Sequence, residues 1–491
     1  MFRIFGLSYN KIRMVAPAIG GAFGGKLEVT VEPAAAVLSR MTGKPVKAEY
    51  NRKESILSTR VRHASVNYVK TGFMKDGTLK AVDFKVYTNT GAMRGYGSPR
   101  VYFGWQRQMQ KIADFLRMDM ADLQMKNMVD PDSCDPIFHK PHGNSRPKDC
   151  LKRALELIDY EACLKEQEAT RNQDIRIGVG LALGVHGNNC VGAHRDVSTP
   201  MLKMNEDGSC IYYTGSHDMG TDTLGMQMQI VSEVLGISMD RIDCLAADTD
   251  VVHWHIGDYS SRGVFVAGSA AKKTAEAMKR ELQVEAAKLL ETEPDDIELH
   301  HDRAWSRKNE EKNASLHDVM VHCQSVSMRE LMVAETYEAK RGATSYGVHI
   351  AKVEVNTLTG EVRPLEYAAV HDIGRAINPL MLKGQLAGAI QMGLGYGLCE
   401  DMAYDGEGKP LVQTLKKYKV LRASQMPKIY MDFVETPQGE PDGPYGAKAL
   451  GECPVVPAAP AVVNAICNAV RGEINELPAR PDRVLAALGD K

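Results

Sequence analysis

An α+β fold of more than one unit is predicted by three observations: stretches of alternating residues that read as paired strands, apolar residues stepping at helical spacing, and glycine-rich loops set between them. Val31 to Met41 reads as a helix, with Pro33 near its start, an Ala-Ala-Ala run, and Gly43 with Pro45 as stop. Ala64 to Tyr87 reads as two paired strands across a turn at Lys75-Asp-Gly77. From Thr221 to Leu235, Leu224, Met228, Val231 and Leu235 form a helical stripe that Gly236 ends. His349 to Val355 and Glu361 to Val370 form a hairpin around Thr359-Gly360. The polar, Pro-bearing stretch from Asp130 to Pro147 reads as a linker between two lobes. The expected division is 1–135 for a first lobe, 136–175 for the linker and 176–491 for a second lobe.

The 491 residues, 44% of them hydrophobic, suffice for a large core. With 60 Lys and Arg against 62 Asp and Glu, the net charge of −2 offers no basic surface for nucleic acid or acidic membrane, so a small molecule or another subunit is the expected partner. Ten cysteines occur with no C-x-x-C pair, which argues against zinc or an iron–sulfur cluster in this chain and fits buried thiols in a reducing compartment. The start has neither a secretory pattern nor a twin-Arg pair, and no segment reads as apolar enough to span a bilayer; the expectation is a cytoplasmic protein.

One carboxylate stands out. Glu452 lies in Gly446-Ala-Lys-Ala-Leu-Gly-Glu452, ahead of an Ala/Val-rich helix and beside the apolar Cys453, Pro454 and Val455. Poor solvation there suits it to act as a general base, while a Glu favoured by a helix dipole is the plainer reading. Further glycine-rich segments are Gly20-Gly-Ala-Phe-Gly-Gly-Lys26, Arg94-Gly-Tyr-Gly97, Thr214-Gly-Ser-His-Asp-Met-Gly220, Tyr259-Ser-Ser-Arg262 with Ala267-Gly-Ser-Ala-Ala271, and His371-Asp-Ile-Gly-Arg-Ala-Ile-Asn-Pro379. Converging, they would offer many N–H groups to a large, phosphate-bearing ligand. Gly20 to Lys26 matches a phosphate-cradling loop until Leu27 replaces the Ser or Thr that binds magnesium, which disfavours an ATPase. Gly178-Val-Gly180 with Gly184 lacks dinucleotide spacing and reads as a strand passing close to another backbone. His253-Trp-His255 lacks a nearby third ligand and reads as ordinary surface.

In this order and ending at Glu452, the segments resemble the molybdenum-cofactor subunit of the xanthine dehydrogenase and aldehyde oxidase family, the molybdenum hydroxylases, from about Phe5 to about Val470. The resemblance implies a two-lobed molybdopterin-binding fold that lacks the family's N-terminal hammerhead domain. It implies Glu452 as catalytic base, with Gly21, Ala22, Phe23, Gly24, Arg94, Gly220, Thr221, Ser260, Ser261, Arg262, Gly268 and Ser269 at the cofactor, and Phe23 and Leu27 at the substrate. Arg262 is expected to supply charge to a pyrophosphate. The metal would be held through the pterin, in its cytosine dinucleotide form, and not by side chains. Gln385 and Gln391 read as packing amides, Arg62 is given no role in the site, and Tyr96 could equally be core.

Departures accompany the resemblance. Met219-Gly220 is followed by Thr221 and Asp222 where the family has a Gln-Gly pair, so a hydroxyl stands in for a two-sided amide. A further family segment is missing after Gly91, where Ala92 follows at once. A split enzyme with a second molybdopterin subunit, a truncated product, or an inactive paralogue serving assembly would each account for the gaps. For a complete site, the resemblance implies oxidative hydroxylation with water as the oxygen source, electrons leaving to [2Fe–2S] and FAD centres on partner subunits. Apolar Leu27 shifts the expected substrate toward N-heterocycles, aldehydes or related aromatic compounds, and a Cys characteristic of the carbon monoxide branch is absent from the Arg94 loop.

Overall fold

The computed structural model describes residues 1–89, 91, 93–131, 133, 134, 139 and 142–488. Its central sheet has four strands in the order Lys428–Glu435, Val362–Gly374, Thr344–Asn356 and Ile175–Gly187. The last three are antiparallel neighbours, and Lys428–Glu435 runs parallel to Val362–Gly374. Side chains alternate across it, so both faces are apolar. Val179, Leu181, Val348, Ile350, Ala368 and Val370 meet the helices Ser98–Leu116, Met120–Asn127, Pro147–Ile158 and Tyr160–Ala169 on one face. Ala182, Ala351, Val353, Tyr367 and Ala369 meet Pro379–Leu398 and Ala458–Val470 on the other.

A second core lies around the sheet Met332–Ala334, Met201–Met204, Cys210–Thr214 and Ile242–Ala246, covered by the helices Thr223–Leu235 and Ser269–Leu289. The helices Glu32–Thr42 and Thr223–Leu235 end at Gly43 and Gly236, both left-handed, as the sequence predicts. The two expected hairpins form as Ser65–Phe73 with Leu79–Thr88 and as Thr344–Asn356 with Val362–Gly374.

The expected linker is not one. Of 136–175, Pro147–Ile158 and Tyr160–Ala169 are helices on the central sheet, and 98–127 belongs to the same face, so the boundary near 135 does not divide the molecule. Cys150, Leu151, Ala154 and Ile158 form the buried stripe of the first helix, hidden in the sequence among Lys148, Lys152, Arg153 and Glu156. Residues 132, 135–138, 140 and 141 of the stretch, and Ala92 at the expected gap, lie outside the described residues. A second correction concerns Cys453–Val470, which is long and apolar enough to cross a bilayer; 94% of it is buried in the protein. Seven of the ten cysteines are buried, and all are free thiols.

The helix Ala458–Val470 lies on the strand Ile175–Gly187 with almost no gap. A Cβ on Gly178 would stand 2.0 Å from the Ala465 carbonyl oxygen, one on Gly180 2.1 Å from the Ala465 nitrogen, and one on Gly184 2.4 Å from Pro457 Cδ. This close backbone approach is what the spacing of those glycines predicts. It fixes the start of the helix, and Glu452 just ahead of it, against the end of the strand.

Candidate active site

Four loops from distant parts of the chain meet at Glu452. Its N–H donates to Ser261 Oγ at 3.0 Å, its Oε1 accepts the Gly95 N–H at 3.0 Å, and Ser261 Oγ lies 3.5 Å from Oε2. The preceding Gly451 carbonyl accepts from Arg94 Nε at 2.7 Å. Arg94 in turn donates its own N–H to the Phe23 carbonyl at 2.9 Å, which ties in the first glycine loop. Its Nη2 bonds the Gln385 carbonyl and side-chain oxygens at 3.2 and 3.1 Å, and Gln385 Nε2 donates to the Gly220 carbonyl at 3.0 Å. Residues 23, 94, 220, 261, 385 and 452 therefore form one hydrogen-bonded constellation. Burial pushes the Arg94 guanidinium down to about 10, a fall that the charge of nearby Glu452 opposes.

The Glu452 loop is anchored from below. Lys448 Nζ lies 2.6 Å from Asp372 Oδ2 and 2.6 Å from the Asn144 carbonyl, with side chains 0% and 1% exposed for Lys448 and Asp372. Asp372 Oδ2 also accepts the Arg146 N–H at 2.8 Å. Gly446 at φ +84° turns the chain into this segment, where its carbonyl accepts the Glu440 N–H at 2.7 Å.

The loops hold unusual backbone. Phe23, Tyr96, Ser260 and Ser261 all have φ between 51° and 54°, a region costly for side-chain-bearing residues and concentrated at functional sites. Gly220, at φ +89°, and Gly20 have no atom within 4 Å of where a Cβ would stand, so both loops border open space. Phe23, Leu27 and Tyr96 are exposed, Tyr96 at 65%, which places it outside the core.

Several assignments change with the geometry. Arg262 is fully buried and spends its guanidinium inward: Nε on Asp196 at 2.8 Å, Nη1 on His255 Nε2 at 2.6 Å and the Gly257 carbonyl at 3.2 Å, Nη2 on the Val197 carbonyl at 2.7 Å. It pins the Ser260-Ser261 turn from behind and presents no charge to a ligand. The His255 ring, buried and beside this cation, is pushed down to about 3, and it does not act as exposed surface. Gly268 and Ser269 are buried where the π-helical turn Gly263–Gly268 passes into the helix Ser269–Leu289, with Ser269 Oγ on the Asp442 carbonyl at 3.3 Å. Arg62 is more than a solvated charge: it stacks over Tyr396 at 4.9 Å and donates to the Arg94 carbonyl at 3.1 Å. Gln385 was readable only as a packing amide, because its partners come from residues 94 and 220. Thr221 Oγ1 lies 2.7 Å from Thr223 Oγ1, so that hydroxyl has an internal partner. His186 gave no sequence signal at all; its Nε2 stands 3.7 Å from Glu452 Oε2.

Residues 1–93 and 153–427 match models described as molybdopterin cofactor-binding domain. The chain is 28% identical over 527 residues to the putative xanthine dehydrogenase molybdenum-binding subunit XdhA of Escherichia coli (strain K12), across 97% of this chain and 69% of that protein. It is 27% identical over 539 residues to the probable hypoxanthine oxidase XdhD of the same organism, across 99% of this chain and 55% of the relative. Among solved structures, quinoline 2-oxidoreductase from Pseudomonas putida 86 shares the fold with a TM-score of 0.93 at 21% identity, over 100% of this chain and 70% of that one.

Proposed function

Because the chain belongs to the molybdopterin cofactor-binding family, as a molybdenum-binding large subunit of the xanthine dehydrogenase and aldehyde oxidase type, we propose that it carries out oxidative hydroxylation of an N-heterocycle, an aldehyde or a related aromatic substrate, with water as the oxygen source. The observation that carries the reading is the placement of Glu452: a carboxylate with Oε1 fixed by the Gly95 amide and Oε2 3.5 Å from Ser261 Oγ, where the glycine loops meet. The residues present suit a pterin cofactor. Gly20 and Gly220 border open space, Gly21 and Gly24 have φ of 90° and 100°, and Ser260 and Ser261 have strained backbone with Ser261 at Glu452. Gly21, Ala22, Phe23, Gly24, Arg94, Gly220, Thr221, Ser260 and Ser261 would hold the group, in the cytosine dinucleotide form, while Arg262, Gly268 and Ser269 support them from within. When bound, the molybdenum cofactor supplies a two-electron acceptor and activates the oxygen that is transferred.

The chain's own part is positioning and proton transfer. Glu452 removes a proton at Oε2 while the Gly95 N–H keeps Oε1 in place, so the carboxylate cannot rotate away from the reacting atoms. Phe23 and Leu27 shape an apolar approach to it, and Arg94 with Gln385 keeps the loops in register. Electrons leave through iron–sulfur and flavin subunits, and a second molybdopterin subunit is a further partner of this assembly. No residue among 1–62 is buried, Phe2 not counted, so this segment is open to such contacts.

Glu452→Gln keeps the shape of the side chain and removes its basicity. The expected result is a loss of turnover of about 10²-fold or more, with molybdenum per chain and the far-ultraviolet dichroism unchanged. Activity near that of the parent protein would refute the assignment.

A further inference from the structure

One oxygen of Glu452 faces a histidine to which the reaction above gives no task. Oε1 is occupied by the Gly95 N–H, whereas Oε2 stands 3.7 Å from His186 Nε2, with the His186 and Glu452 side chains 9% and 18% exposed. The tautomer of His186 follows from its other nitrogen. Nδ1 lies 2.6 Å from the Gly187 carbonyl oxygen, which can only accept, so Nδ1 carries hydrogen. A neutral ring therefore turns the lone pair of Nε2 toward the carboxylate.

Oε2, with Ser261 Oγ at 3.5 Å, and the Nε2 lone pair are then two acceptors facing each other. Once Glu452 has taken up a proton, its Oε2–H faces an acceptor to which the proton can pass. The separation of 3.7 Å is longer than a hydrogen bond, and a side-chain movement of about 1 Å closes it, as is common for catalytic contacts in free enzymes. The backbone on both sides is closely packed. His186 ends the strand Ile175–Gly187, in which Gly184 abuts Pro457, and Cys453 Sγ points at the Gly184 and Ser345 carbonyls at 3.8 and 3.4 Å. Strand and loop are thus packed directly against each other.

We propose that His186 is the proton acceptor of Glu452. The proton that Glu452 takes up leaves Oε2 as its O–H bond breaks, a new N–H bond forms at His186 Nε2, and the proton passes on to solvent water, which restores the carboxylate without any change in electron count. The inference rests on the hydroxylase reading of Glu452. His186 acts through that residue, so it is a positioning and relay group and need not touch substrate.

Nitrogen-15 NMR of the histidine-labelled protein, with the His186→Gln variant to assign the signal, shows which ring nitrogen is protonated, whether or not cofactor is loaded. Protonated Nδ1 is expected, and a ring with its only proton on Nε2 overturns the relay alone. In the assembled enzyme, His186→Gln is expected to lower kcat about 10- to 100-fold with KM little changed, and added imidazole to restore part of the turnover of His186→Ala but none of that of Glu452→Gln. A kcat within about twofold of the parent, or no rescue, overturns the relay. An active Glu452→Gln variant overturns the hydroxylase reading and the relay with it.

Discussion

Replacing Lys448 by Met removes a buried cation from under the Glu452 loop and leaves Asp372 facing an apolar side chain of similar length. In the parent protein the two groups are 2.6 Å apart and 0% and 1% exposed. At an effective dielectric of about 20 their attraction is about 6 kcal/mol, much of it offset by desolvation, and breaking one partner of a buried pair typically costs about 3–5 kcal/mol. Proton uptake sets a ceiling on that cost. Burial already pushes the Asp372 carboxyl upward, opposed by Lys448, and its Oδ1 has no hydrogen-bond partner, so without Lys448 the group protonates instead of staying charged. Keeping a carboxyl of ordinary pKa near 3.9 protonated at pH 7 costs about 4 kcal/mol, and at pH 5 about 1.5 kcal/mol. In the variant the folded carboxyl binds its proton at higher pH than the unfolded chain does. Its deficit against the parent is therefore small at low pH and grows as pH rises through the unfolded value. Urea unfolding at pH 7 and pH 5 reads this directly: a deficit of about 3–4 kcal/mol should shrink to about 1.5, and Lys448→Met with Asp372→Asn should recover about half or more of the loss. A deficit below about 1 kcal/mol, or one independent of pH, would refute the claim that this pair anchors the loop.

Acid should destabilise the fold through its neutral histidines. Burial pushes His255 and His371 down to about 3 and His349 well below its ordinary value, so between about pH 6.5 and 3 the unfolded state binds protons that the folded state refuses. Each contributes a loss of up to about 1.4 kcal/mol per pH unit, and an unfolding midpoint unchanged between pH 7 and 5 would contradict this. Gly180→Ala forces a Cβ to 2.1 Å from the Ala465 nitrogen, with a cost of about 3 kcal/mol or more, whereas Gly187→Ala, whose nearest atom is 3.9 Å away, should melt like the parent in calorimetry. Gln385→Ala removes the side-chain link between Arg94 and Gly220; kcat should fall about tenfold with the melting temperature within a few degrees, and an unchanged kcat would remove Gln385 from the site.

Local rules account for what was legible. Gly43 and Gly236 stop helices because a left-handed residue there needs no Cβ, and this requirement is written at a single position. The glycine loops were equally plain, since their backbone demands follow from residue type. The helix Pro147–Ile158 was not, because its five buried residues are interleaved with five charged ones and only the sheet shows which side is covered. The role expected for Arg262 failed for a related reason. Charge is visible in a sequence, but the direction of a guanidinium depends on whether Asp196, 66 residues away, lies behind it.

Short segments of the chain already specify the kinds of residue that meet at the site: a carboxylate with a glycine before it, small residues wherever backbone must come close, and the ordered series of loops that marks the family. These are properties of short segments, whose φ/ψ limits and side-chain chemistry do not depend on distant parts of the chain. The tertiary structure alone decided which groups act together. It set Gly95 on one oxygen of Glu452 and His186 opposite the other, turned Arg262 inward, joined residues 94 and 220 through Gln385, and put Lys448 on Asp372. Each of these contacts spans many residues of chain, and its energy depends on burial and direction, which exist only once the sheet and its helices have packed.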